Sequence, residues 1–129
     1  MSKFFKVAII GSGNVAWHLA RGLENSGHFI TDIYSRKLAN AKSLAQKLYD
    51  TNATNNLDLE ESEAEIFIIA VSDNVLEEVA SRLKAPPYAL IAHTSGTKSL
   101  KTLANYHENA GIFYPLQTFS KGVALSLIH

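Results

Sequence analysis

The sequence predicts an α/β fold: a doubly wound, mostly parallel sheet between two helix layers. Three observations predict it. Strand-like apolar runs alternate with stretches of helical periodicity along nearly the whole chain, the pattern of parallel strands joined by right-handed crossovers. The run Ile66-Phe-Ile-Ile-Ala-Val71 is apolar at every position, as expected of a strand covered on both faces. The first apolar run stops abruptly at Gly11-Ser12-Gly13, and an apolar face at helical spacing follows at once.

The 129 residues, 47% of them hydrophobic, suit one domain with a substantial core. Formal net charge is zero and no basic face or arm is evident, so nucleic acid is not an expected partner. The absence of cysteine excludes disulfides and thiolate metal sites. No spacing of His, Asp and Glu suggests a metal site, and no serine sits in a G-x-S-x-G elbow. No apolar run approaches the roughly 20 residues of a membrane span. The opening Met-Ser-Lys-Phe-Phe-Lys lacks a signal-peptide pattern. A cytoplasmic protein with no membrane partner is expected.

Residues 4–10 form the first strand and 14–24 the first helix, with Val15, Ala16, Leu19, Ala20 and Leu23 on its apolar face and Gly27 placed to end it. Trp17, His18 and Arg21 fall away from that face. The second strand is 29–34. Ser35 is a suitable N-cap for a helix that buries Leu38, Ala41, Leu44, Ala45 and Leu48 and turns Lys37, Lys42 and Lys47 outward. A short third strand falls at 52–54, and the acidic stretch 57–65 reads as a solvated turn or short helix. The fourth strand, 66–71, runs into Ser72-Asp73, which cap a helix ended by Pro86-Pro87. A fifth strand at 89–92, a helix near 99–106 and a sixth strand at 111–114 complete the alternation, and residues 122–129 are again apolar.

Strand, glycine turn and helix are the context that turns G-x-G-x-x-A into a dinucleotide-binding, or Rossmann, motif. Gly11 permits the tight turn, Gly13 lets a pyrophosphate approach the backbone, and Ala16 lets the helix pack closely on the strand. The unpaired N–H groups of the helix's first turn then face the phosphates. Gly11, Ser12, Gly13, Asn14 and Val15 are therefore assigned to the cofactor.

The acid that usually holds the adenosine ribose of NAD lies about 20 residues after the motif. Here that position offers Ser35 or Arg36. Asp32, the nearby acid, lies inside the strand; at period two it shares a face with Ile30 and Tyr34 and not with Ser35. A hydroxyl and a guanidinium suit a 2′-phosphate, so NADP is the expected cofactor. Val71 and Ser72, at the next strand end, flank the ribose. His93 and Ser95, in His93-Thr-Ser-Gly96, are the catalytic candidates, for a nicotinamide ribose or a substrate carbonyl. Tyr114, Gln117 and Thr118 would approach the nicotinamide end.

Val7 to Ala16, Ser35-Arg36, Ile66 to Asp73, His93-Thr-Ser-Gly96 and Phe113-Tyr-Pro-Leu-Gln-Thr-Phe119 together resemble the Rossmann-like domain of bacterial proteins carrying a C-terminal domain of unknown function, DUF2520. The resemblance covers nearly the whole chain. Those proteins are predicted NADP-dependent oxidoreductases, related to pyrroline-5-carboxylate reductase, the F420-dependent NADP reductase and the β-hydroxyacid and 6-phosphogluconate dehydrogenases. The resemblance implies hydride transfer between a nicotinamide and a small carbonyl or imine substrate. It also implies a Rossmann domain over residues 1–120, and a connection beginning at 121–129 toward a helical second domain that makes a homodimer and completes the substrate pocket. Many relatives have His where this chain has Tyr114, so no catalytic His transfers there; neither Lys98 nor Lys121 occupies a matching catalytic motif. A non-catalytic dinucleotide-binding or sensing module and an F420-dependent reductase are the alternative readings.

Overall fold

The structure is a computed structural model, and it describes residues 4–94, 106–107, 110–113 and 127–128. The strands are β1 (Lys6–Ile10), β2 (Phe29–Tyr34), β3 (Asn52–Thr54), β4 (Ile66–Ile69), β5 (Leu90–His93), β6 (Ala110–Phe113) and β7 (Leu127–Ile128). The helices among the described residues are α1 (Asn14–Asn25), α2 (Leu38–Ala45) and α3 (Asp73–Arg82). The helix expected near 99–106 lies, but for Tyr106 in a turn, outside the described residues.

The sheet has the order β3-β2-β1-β4-β5-β6-β7. All neighbours are parallel except β6 and β7, where Ile112 faces Ile128 and Phe113 faces Leu127. The first six strands follow the doubly wound Rossmann order. The chain reverses direction of sheet growth at β1, which has β2 on one side and β4 on the other. That reversal opens a crevice beyond the C-terminal ends of β1 and β4.

Strand alternation divides the core in two. Val7, Ile9, Ile33, Ile66 and Ile68 meet Ala16, Leu19, Ala20 and Leu23 of α1 and Ala41 and Leu44 of α2. Ala8, Ile10, Phe67, Ile69 and Ile91 meet Leu76 and Ala80 of α3, with Leu57 and Leu83. This explains the unbroken apolar run of β4: odd and even side chains serve opposite layers. Each large side chain so buried contributes ~1.5–3 kcal/mol.

Three local expectations change. Val15 is 52% exposed rather than part of the buried face of α1, which consists of Ala16, Leu19, Ala20 and Leu23. Asp32 does not share a face with Ile30. Val7 pairs with Ile30 but Ala8 pairs with Asp32, so Thr31 is an extra residue in a β-bulge. Ile30 therefore joins the α1–α2 layer while Asp32 points to the other side, accepting hydrogen bonds from Thr31 Oγ1 (2.8 Å) and Ser62 Oγ (2.7 Å). The acidic stretch 57–65 is a turn, one of its two expected forms, but it is not wholly solvated. Leu57 and Ala64 dock in the core, and a parallel bridge from Asp58 to Lys84 holds the segment against the end of α3.

Candidate functional site: the glycine loop and its neighbours

The loop after β1 is tied on both sides. Gly11 N donates to Tyr34 O at 2.8 Å, and Ala70 N donates to Ile10 O at 2.9 Å. Gly11 has φ +137°, a backbone conformation that side chains rarely adopt, and a Cβ there would lie 2.5 Å from the Ala70 carbonyl oxygen. The chain itself thus demands a glycine at residue 11.

Gly13 differs. Its φ of −79° is ordinary, and a Cβ added to it would meet nothing within 4 Å. Folding makes no demand for glycine here; the missing side chain leaves an open approach to the backbone. Gly13 occupies the N-cap position of α1, with no side-chain cap and no acidic residue in the first turn. The first-turn N–H groups of a helix have no partner within it, and they carry the positive end of its dipole. This end of α1 therefore offers Asn14, Val15 and Ala16 amides to an anion.

The tip of β2 lies beside the loop. Ser12 Oγ donates to Ser35 Oγ at 3.0 Å, and Ser35 N donates to Thr54 O at 3.0 Å. Contrary to the expectation from sequence, Ser35 does not cap α2. That helix begins at Leu38 with Lys37 at its N-cap position, and the Ser35 hydroxyl is held by Ser12 instead. Arg36 and Lys37 are exposed, and among the described residues neither has an ion-pair partner. On the β4 side, Val71 is half-buried, with Cγ1 3.6 Å from the position of a Gly11 Cβ. Ser72 is exposed at the N-cap position of α3; its hydroxyl donates to Asn74 Oδ1 at 2.6 Å instead of accepting from a backbone amide. Gly11, Ser12, Gly13, Asn14, Val15, Ser35, Arg36, Val71 and Ser72 thus follow the C-terminal ends of β1, β2 and β4, neighbouring strands of the sheet.

His93 ends β5, in register with Ile69, and is fully buried. Ser95, Tyr114, Gln117 and Thr118 lie outside the described residues. Tyr106 donates to Glu77 Oε1 at 3.1 Å, which raises its pKa above the ordinary value because the bond holds the phenol protonated beside a carboxylate. It stands near Pro86 and Ala89, toward the start of β5 and away from the crevice.

Sequence reasoning passed over a groove of about 430 Å³ that opens off the glycine loop between α1 and α2. Its walls include Gly13, Asn14, Trp17, Asn40, Ser43 and Lys47. The signal was present in part: Trp17, half-buried, packs at the margin of the α1–α2 core, Lys47 follows the end of α2, and both helices lie on the same side of the sheet. Arg21, Arg36, Lys37, Lys42 and Lys47 are exposed along α1, the β2 tip, α2 and the turn after it, a grouping of positive charge that a net charge of zero does not show. Among the described residues no cluster of His, Asp and Glu could hold a metal ion, and no helix is long and apolar enough to cross a membrane.

An uncapped helix start behind a glycine turn, at the reversal point of a parallel sheet, defines a Rossmann-type dinucleotide-binding domain. The family model for NADP oxidoreductase, coenzyme F420-dependent, matches residues 6–96, and the chain belongs to that family of NAD(P)-binding oxidoreductases. No curated protein is similar enough to the chain to match it. A Bacteroides fragilis protein classed as an NADP oxidoreductase is 28% identical, with a TM-score of 0.72 over 95% of this chain and 49% of its own. The 1-pyrroline-5-carboxylate reductase of Streptococcus pyogenes is similar in fold, at 23% identity and TM-score 0.69, over 85% of this chain and 41% of its own. So is a prephenate dehydrogenase from A. aeolicus, solved with hydroxyphenyl propionate and NAD+, at 17% identity and TM-score 0.73, over 88% and 42%. The chain spans less than half the length of each.

Proposed function

We propose that this chain is the NADP-binding domain of an oxidoreductase acting on a small carbonyl or imine. The observation that carries the reading is the exposed Arg36 on the strand tip that Ser12 and Ser35 tie to the uncapped start of α1. When bound, the reduced nicotinamide supplies a hydride to the carbonyl or imine carbon, and a proton from a group of the protein or water completes the product. The chain's own residues bind and orient. The Asn14, Val15 and Ala16 amides hold the pyrophosphate, Gly13 leaves room for it, Ser35 and Arg36 take the 2′-phosphate, and Val71 and Ser72 flank the ribose.

His93 and Ser95 are assigned to the nicotinamide end, because β5 lies beyond β4 on the side of the crevice away from β2. The Bacteroides fragilis likeness supports NADP, and the reductase and dehydrogenase folds support the reaction class. The narrower kinship with DUF2520 proteins rests in part on residues 113–119, beyond the matched segment, and belongs to this proposal.

Calorimetric titration with NADPH and NADH tests it. NADPH binds more tightly, and Arg36→Ala removes about 10- to 100-fold of that affinity while leaving NADH nearly unchanged, as loss of charge-assisted bonds to a phosphate predicts. Equal losses for both cofactors overturn the 2′-phosphate assignment; no binding of either overturns the site.

A further inference from the structure

The charges of this chain are sorted along its length. Residues 33–49 contain Arg36, Lys37, Lys42 and Lys47 and no carboxylate, whereas residues 50–78 contain nine carboxylates and no Lys or Arg. The carboxylate-rich stretch includes the connection from β3 to β4, which holds no helix. On the side of the sheet away from α1 and α2, β2 and β3 therefore meet the turn 57–65, and a groove of about 410 Å³ remains between them. Thr31, Asp32 and Ser62 line it, and the exposed Asp58, Glu61 and Glu63 stand around it. A hollow of about 260 Å³ shares Thr31, Asn52 and Glu63 with it and continues it past Phe29, Tyr49 and Asp50. Lys6 and Phe29 open β1 and β2, so the groove extends toward the opposite end of the sheet from the glycine loop.

Asp32 anchors this groove. The bulge at Thr31 turns it to this side. It is 8% exposed, and both of its hydroxyl donors, Thr31 Oγ1 and Ser62 Oγ, go to Oδ2. Among the described residues Oδ1 accepts no hydrogen bond, yet it is not sealed from solvent. A carboxylate so far withdrawn from water is costly unless both oxygens are paired. The groove is where a donor can reach Oδ1. Five carboxylates line the two hollows, Asp32, Asp50, Asp58, Glu61 and Glu63, against one cation, Lys6. The Lys6 ammonium lies 3.9 Å from Glu63 Oε2, and both side chains are exposed, so that pair is weak and the groove keeps a negative field.

The layout of the charge selects the cation. A metal ion needs oxygens that converge on one point, and among the described residues no such cluster exists. The carboxylates are strung out instead. A strand rises about 3.3 Å per residue, so Asp32 and Phe29 lie about 10 Å apart along β2. A compact ion touches one or the other; an extended chain touches both. Phe29 and Tyr49, 53% and 77% exposed, offer ring faces on which methylene groups pack and ammonium groups bind. Separated carboxylates with bare rings between them match a chain that alternates ammonium and methylene groups.

We propose that this groove binds a linear alkyl polyamine, with Asp32 Oδ1 accepting from one ammonium group and Asp50 and Glu63 facing a second. The site is separate from the cofactor crevice and does not depend on the dinucleotide reading.

Spermidine is the probe and magnesium chloride the charge control. Calorimetric titration of the full chain is run at about 0.1 M salt, where exposed charges more than ~10 Å apart are largely screened. Spermidine binds one to a chain, and an equal concentration of magnesium ion does not displace it. Asp32→Asn keeps an oxygen for Thr31 and Ser62 but removes the charge, and it weakens spermidine binding about 10-fold or more. Glu61→Gln combined with Glu63→Gln, both at exposed positions, weakens it about 3-fold or more. If circular dichroism shows that Asp32→Asn does not fold, the double variant decides in its place. Unchanged affinity in the deciding variant, displacement by magnesium ion at equal concentration, or no binding at millimolar spermidine overturns the proposal. A lysine-rich peptide that binds where spermidine does not overturns it too, because the groove is then a protein contact.

Discussion

Gly11 and Gly13 stand two residues apart in one motif for opposite reasons. Gly11→Ala forces a positive φ on an L residue and drives its Cβ against the Ala70 carbonyl, so it should cost at least ~2 kcal/mol of stability by urea unfolding. Gly13→Val should unfold at nearly the wild-type urea concentration yet lose measurable NADPH binding, because its side chain enters only the space left for ligand. A Gly13→Val chain that binds normally would place the phosphates elsewhere. At this scale the sequence was readable where a residue's role in the fold follows from size: Gly11 at the tight turn and Ala16 in the close packing of α1 on the sheet. It was less readable where a side chain has several partners on offer. Ser35 is a good N-cap by type, but its hydroxyl is claimed by Ser12, a neighbour created only when β1 and β2 pair.

Among the described residues β1 to β6, α1 and α3 were legible to within two residues, because buried strands and amphipathic helices have different periods, whereas α2 stops at Ala45, short of the expected Lys47 and Leu48. What escaped was the bulge. Period-two counting assumes unbroken pleating, and the extra residue at Thr31 reverses the facing of Ile30 relative to Asp32; Thr31 Oγ1 also reaches Val7 O at 3.4 Å. The end of β5 is the element that the proposed function assigns to catalysis. His93 is held in register with Ile69 and wholly buried, so its substitution acts on the strand end as well as on any chemistry. Under the proposed function, His93→Ala should lower the kcat of NADPH oxidation by about 10-fold or more while changing NADPH affinity little, the range of a lost general acid or positioning group. Turnover equal to wild type would return His93 to packing alone.

For the whole molecule, alternation of strand and helix was enough to foretell three layers, since each helix must cover one side of a sheet that is apolar on both. The pairing of β7 with β6 was not foretold: two apolar residues near the end of a chain carry no period. Nor was the separation of charge, because a summed charge of zero discards position. The tethering of the glycine loop has a consequence that deuterium labelling would read. The Gly11 amide, bonded to Tyr34 O at 2.8 Å, should exchange slowly whether or not cofactor is present. The Asn14 and Val15 amides, three and four residues on, should exchange fast in the bare protein and slow sharply once NADPH is added. If they do not slow, the phosphates have settled elsewhere. One short stretch of backbone thus carries its own internal clock: a reference proton locked by the sheet and, within a helical turn of it, protons that only a visitor can lock.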